Sequence, residues 1–233
     1  MSPEMSHSQL ALLSLVITLV GYYGAKRLHG RLGYWWAAPI LLAPMLIIAA
    51  VLLLDIPLPS YFEYTHFLVL LLGPATIAFA LPIYRERALI GRYPITLTLG
   101  VMAGLLLGLL SSWGLVKLFE LPPELGHSVL VRSVSTPFAM EATTAFGGVP
   151  ELTAMVVLMT GVIGMLLCGP LFRLGRVRSA LARGAALGAS AHGAGAAKAR
   201  EYGEEEAVVA SLTMIFTGIA MVLTAPLFAI LLV

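Results

Sequence analysis

The chain has 233 residues, 59% of them hydrophobic and 11% charged, with a net charge of +2. Soluble domains carry about 25% charged residues, and a mean hydropathy of +0.95 excludes an ordinary water-soluble fold. No nucleic-acid partner is expected. The one cysteine, Cys168, excludes an intramolecular disulfide and a multi-cysteine metal site, and it reads as a small buried hydrophobe.

Apolar runs of roughly 17–25 residues cross a bilayer as helices. Six occur in order: Gln9–Ala25, Gly33–Leu54, His66–Tyr84, Pro94–Leu118, Leu152–Leu171 and Ala207–Val233. Met1–Leu10 has no Lys or Arg and no cleavage-like site follows, so the first run is expected as a retained helix, not a secretory signal. Tyr34, Trp35 and Trp36 read as an interfacial aromatic belt. Gly100, Gly104 and Gly108 form a small-residue ridge on the fourth run, mainly a packing surface, with a homo-oligomer contact as the alternative.

The charges set the orientation. Lys26, Arg27 and Arg31 follow the first run, and Arg85, Arg87 and Arg92 follow the third. Arg173, Arg176, Arg178 and Arg183 follow the fifth, with Lys198 and Arg200 beyond. Of fourteen basic residues, Lys117 and Arg132 alone fall elsewhere, while Asp55, Glu63, Glu120 and Glu124 mark the opposite loops. The positive-inside rule puts the basic loops in the cytoplasm and the N-terminus outside. Pro94–Leu118 then runs outward and Leu152–Leu171 inward. Phe119–Pro150 must therefore cross an even number of times, as a re-entrant pair of half-helices or an amphipathic piece followed by a broken hairpin. By the same parity Ser179–Gly203 dips in and returns.

These two segments resemble each other. Ser135-Thr136-Pro137 through Glu141, then Gly147, Thr160 and Pro170, is echoed by Ser190 to Lys198, then Gly203, Thr217 and Pro226. Glycine- and proline-interrupted segments at corresponding positions point to a transporter's binding site. A break leaves orphan N–H and C=O groups, and helix N-termini favour anions. Pro137 stiffens one break; Gly193 and Gly195 permit unusual dihedrals and close approach at the other. The fold expected is an all-α, polytopic membrane protein with inverted repeats containing broken or re-entrant helices. Residues 1–93 form a three-helix scaffold, and 94–233 form a core of two repeats, 94–171 and 172–233.

Individual residues carry the expected chemistry. Glu141 enters the bilayer, where a carboxylate costs about 2.5–3.5 kcal/mol; it is a candidate for proton or cation coupling, against a bland role as an outer-surface cap. His192 is a candidate for proton coupling or for a hydrogen bond to a carboxylate, against a purely structural one. Lys198 is a candidate for pairing an anion, against a role as a positive-inside anchor, and Arg200 is read as an anchor. Glu204–Glu206 suit the first turn of a helix. No His or Cys set has metal-ligand spacing, and Gly188–Gly193 has Ala194 where a phosphate-binding loop needs Lys. No nucleophile–base–acid constellation appears, so neither an enzyme nor a cofactor is expected.

The stretches Ser135-Thr136-Pro137-Phe-Ala-Met140-Glu141, Gly147-Gly148-Val-Pro150, Ala182-Arg183-Gly184 and His192-Gly193-x-Gly195-x-Ala-Lys198 resemble the LrgB (CidB/LrgB) family of bacterial inner-membrane proteins. So does Tyr202-Gly-Glu-Glu-Glu206. The likeness is strong from Pro94 to Val233 and rests on hydropathy and loop charge before that. Lys198 departs from the Arg more usual in the family, which keeps the charge and loses bidentate geometry. The resemblance implies a multi-pass protein of the bacterial inner membrane with one of two roles. One is ion-coupled transport of a small monocarboxylate of the pyruvate, glycolate or glycerate class. The substrate would be bound by Ser135, Thr136, Pro137, Ser190, His192, Gly193, Gly195 and Lys198, with Glu141 and His192 in coupling. The other is holin/antiholin-like control of murein hydrolases with a small LrgA/CidA-type membrane partner.

Overall fold

A computed structural model describes residues 6–232, apart from the side chain of Trp35. Among the described residues it is all-helical, and five helices are long and apolar enough to cross a membrane. The protein is an all-α, polytopic membrane protein. It divides into two compact units, one ending at Ala75 and one beginning at Thr76.

In the first unit, α1 (His7–Leu32) starts at a reciprocal cap between Ser6 and Gln9 and stops at Gly33, whose φ of 66° suits glycine. Its partners are α2 (Pro39–Leu53) and α3 (Leu58–Leu70). Gly21 brings α1 against Ile47; a Cβ there would stand 2.9 Å from Ile47 Cγ1. Thr18 and Tyr61 share a 3.1 Å hydrogen bond between α1 and α3. The run Gly33–Leu54 is expected to span, yet its helix is only 15 residues long. That is about 22 Å, short of a hydrocarbon core of about 30 Å. The physical reason is local: Gly33 closes α1, a 3-10 turn takes Trp35–Ala37, and Pro39 sets the first helical turn.

The apolar stretch Leu58–Arg85 continues through α4 (Leu72–Ala78) into α5 (Ala80–Arg85). In the second unit α5 and α6 (Arg87–Arg92) lead to α7 (Pro94–Leu118). Then come α8 (Pro123–Leu130), α9 (Thr136–Ala145), α10 (Pro150–Leu174), α11 (Ala180–Ala199) and α12 (Glu204–Leu232).

α8 and α9 form a first re-entrant hairpin. α8 descends beside α7, with Gly126 against Val116 and Ser133 against Gly108. α9 climbs back until Val149 N–H donates to Ser128 Oγ at 2.8 Å. Buried hydroxyls hold this return in place. Thr153 Oγ1 donates to the Ser128 carbonyl at 3.1 Å and pairs with Thr143 Oγ1 at 2.9 Å. Gly148 must be glycine here, because a Cβ would stand 2.8 Å from Ser128 N and 2.5 Å from Thr143 Oγ1.

α11 is a second hairpin. His192, with φ 38° and ψ −119°, interrupts the helix. A Cβ at Gly195 would lie 2.1 Å from the Leu187 carbonyl oxygen; in an uninterrupted helix residues eight apart stand about 12 Å apart along the axis. The chain therefore folds back on itself at His192. Close packing on α12 holds it: a Cβ at Gly188 would be 2.2 Å from the Ala210 carbonyl, and one at Gly184 would be 2.7 Å from that of Glu206.

The two long helices that follow the hairpins run in opposite directions between them. α10 starts beside Ser128 and Thr143, passes His192 at Gly161, and reaches the base of the second hairpin at Cys168. α12 starts at that base, passes Phe138 at Gly218, and ends among Leu130, Val131 and Phe146.

Candidate functional site

Both hairpin tips stop about half way along their neighbouring helices, on one glycine face of α7. Gly100 meets Ala185, Gly104 meets Ala189, and Gly108 meets Ser133. With a Cβ at Gly104 the distance to Ala189 Cβ would be 2.6 Å, and at Gly108 the distance to Ser133 Oγ would be 2.7 Å. The ridge is a packing surface, and what it packs is the pair of tips.

A cavity of about 470 Å³ opens where they meet α7. Its walls are the glycine face of α7 with Ser111, then Arg132 and Ser133 from the first tip, and Ala185, Ala189 and Ser190 from the second hairpin. The polar groups are three hydroxyls and one guanidinium. Arg132 Nη2 donates to Ser111 Oγ at 3.0 Å, while its Nε is buried with no hydrogen-bond partner among the described residues. A buried donor left unmatched costs about 1–3 kcal/mol, more when charged. A guanidinium with a free edge is a ready receptor for a carboxylate, which it can grip through two parallel hydrogen bonds.

The residues expected from sequence fall around this cavity at different distances. Ser190 lines it, its hydroxyl donating to the Ala186 carbonyl at 2.7 Å. Ser135 caps α9 at the first tip, 6% exposed, with an Oγ that has no partner among the described residues. Thr136 and Pro137 open α9, where the missing N–H of proline is harmless. His192 turns the other way, against α10: a Cβ at Gly161 would stand 2.7 Å from its Cε1. It is 5% exposed and its Nε2 is unpartnered among the described residues. Gly193 has open space around it, in contrast to Gly195.

Two residues lie away from the tips. Glu141 is exposed on α9, and its carbonyl accepts from Thr144 Oγ1 at 2.7 Å. Lys198 is at the base of the second hairpin and pairs with the Glu201 carboxylate. There Tyr202 meets Phe172 edge-on, with ring centroids 5.9 Å apart, and the Arg183 guanidinium lies 5.4 Å over its ring. Burial, and then the neighbouring Cys168 thiol, pushes the Tyr202 hydroxyl above its ordinary value.

Arg132 is the residue that sequence reasoning missed. Its signal was present: it is one of two basic residues outside the arginine-rich loops, three positions before Ser135. In the sequence it stands only as an exception to the orientation pattern.

The model of the LrgB-like family matches residues 18–231. The chain is 33% identical over 217 residues to "Uncharacterized protein YwbG" of Bacillus subtilis (strain 168), covering 93% of this chain and 96% of that protein. It is 32% identical over 211 residues to "Uncharacterized protein YxaC" of the same organism, covering 90% and 91%. No solved structure matches.

Proposed function

The chain belongs to the LrgB-like family, and from that premise we propose that it is a secondary carrier of a small monocarboxylate of the pyruvate, glycolate or glycerate class. The observation that carries the reading is Arg132, a guanidinium with an unmatched buried Nε in a cavity where two re-entrant tips meet. A membrane lesion needs no such fixed polar site, whereas an arginine kept half way along spanning helices calls for an anion or an aqueous path.

In this reading the two hairpin-and-helix units act as an inverted pair around one site. The substrate carboxylate pairs with Arg132, and the Ser111, Ser133 and Ser190 hydroxyls face the substrate's keto or hydroxyl oxygen. The free N–H groups at the start of α9, behind Ser135, Thr136 and Pro137, add positive potential from a helix N-terminus. The same holds for the segment starting at Gly193, with Gly195 letting the two arms close. His192 is the coupling group, an imidazole whose second nitrogen has no protein partner. Glu141 is a second coupling candidate on the outer arm. Lys198, held by Glu201, anchors the base of the hairpin, and the anion role passes to Arg132. In this reading the arginine-rich loops face the cytoplasm and the N-terminus lies outside, and the membrane is the bacterial inner membrane that the family resemblance implies. Neither a cofactor nor enzymatic chemistry enters this scheme.

The test is uptake of labelled pyruvate, glycolate or lactate into proteoliposomes. Saturable uptake whose half-saturation concentration rises steeply in Arg132→Gln and less in Arg132→Lys is the expected result. Unselective release of a trapped dye, with no uptake under any gradient, would instead favour holin-like control of murein hydrolases alongside a small LrgA/CidA-type partner. Normal uptake by Arg132→Gln would sink the site.

A further inference from the structure

A second cavity, of about 490 Å³, lies between α5 and the first turns of α12, away from the hairpin tips. Four charged residues guard its end: Arg85 and Glu86 from α5 and the residue after it, Arg200 from the link between α11 and α12, and Glu204 from the first turn of α12. Ion pairs among the described residues are His7 with Glu63 and Lys198 with Glu201, so these two cations and two anions do not neutralise one another.

The polarity of the walls has a direction. On α12 the lining positions are 204, 207, 208, 211 and 212, which is one face of a helix. From Glu204 to Leu212 that face runs about 12 Å from carboxylate to aliphatic side chain. On α5 the change from Arg85 back to Leu81 takes about 6 Å in the same sense. Charge at the arginine-rich end and hydrocarbon toward the middle is the order of groups along a phospholipid.

We propose that this groove binds one phospholipid whose headgroup carries both a phosphate and a primary ammonium. The phosphate is held by Arg85 and Arg200 through charge-assisted hydrogen bonds. The ammonium donates to Glu86 and Glu204, and an acyl chain lies along Leu81 and Leu212. Two carboxylates in the cleft select against a purely anionic headgroup, which would leave them unpaired and facing like charge. A quaternary ammonium has no N–H to give them. A bound lipid would tie α5 to the base of the second hairpin.

The proposal is tested by native mass spectrometry of the full chain, stripped of lipid in a mild detergent. Phosphatidylethanolamine, phosphatidylcholine and phosphatidylglycerol with identical acyl chains are titrated in. One molecule of phosphatidylethanolamine retained about tenfold better than either of the others, the span of one or two charge-assisted contacts, is the expected result. Arg85→Gln with Arg200→Gln should abolish that retention. Glu86→Gln with Glu204→Gln should keep lipid binding and erase the preference over phosphatidylcholine. All four side chains lie at the surface of the groove, and circular dichroism of each variant checks its helix content. Equal retention of the three lipids, a preference for phosphatidylglycerol, or retention unchanged in the arginine variant would overturn the proposal. No substrate is present in the measurement, so its outcome is separate from that of transport.

Discussion

The two hairpins reach the same depth by different means. The first is pinned at its open end by Ser128, Thr143 and Thr153, whose fully buried hydroxyls bond backbone groups or, for the two threonines, each other. The second has no such network; Gly184, Gly188 and Gly195 let backbones touch where any Cβ would collide. One tip carries an arginine, and the other carries a histidine in a backbone conformation that L-residues avoid. Polar anchoring leaves the first tip free to hold a charge. Close packing over-determines the second, so that it can keep His192 at a φ of 38°.

For function, that contrast is broken most forcefully at Arg132. Charge-assisted hydrogen bonds contribute about 1.5–3 kcal/mol each, so Arg132→Gln should raise the half-saturation concentration for uptake by about 10–150-fold with little change in melting temperature. Glycine substitutions probe the second hairpin. Gly188→Ala and Gly195→Ala drive a methyl into carbonyl oxygens and should cost about 3 kcal/mol or more, seen as a large fall in melting temperature in detergent. Gly193→Ala, with nothing within 4 Å of the new Cβ, should change stability by less than about 0.5 kcal/mol. A similar fall at Gly193 would show that composition, not packing, governs this segment.

Thr153→Val tests the polar anchor of the first hairpin. The isosteric change leaves the Ser128 carbonyl and Thr143 hydroxyl unmatched and should cost about 1–3 kcal/mol. A further comparison concerns the turn at His192. His192→Gly should be more stable than His192→Ala by about 1 kcal/mol, although it removes more atoms, because glycine accepts the positive φ. The reverse order in thermal melts would mean that the ring, not the backbone, sets the cost.

Much of this architecture was legible from charge parity. The arginines after Leu171 and the acidic residues near Glu120 imply that Phe119–Pro150 and Ser179–Gly203 turn back on themselves, and each contains a helical hairpin. The polar, small-residue composition around His192 marked the break within a few positions. The length of α2 was not legible, because an apolar run does not announce that a 3-10 turn and Pro39 will shorten its helix. The functions of Gly193 and Gly195 were also indistinguishable in sequence, since both supply freedom and only one is touched.

What the sequence alone determined is the class of fold, the family, the number of apolar spans to within one short helix, and the two places where the chain turns back. Hydropathy and charge are sums over local segments, so they survive without knowledge of neighbours. What the tertiary structure decided is the company each residue keeps. Arg132, Ser111 and Ser190 come from three separate segments, and their convergence depends on which glycines face which tips. A lone arginine becomes a candidate binding group only when the packing brings it to the wall of a cavity with one buried N–H left unmatched.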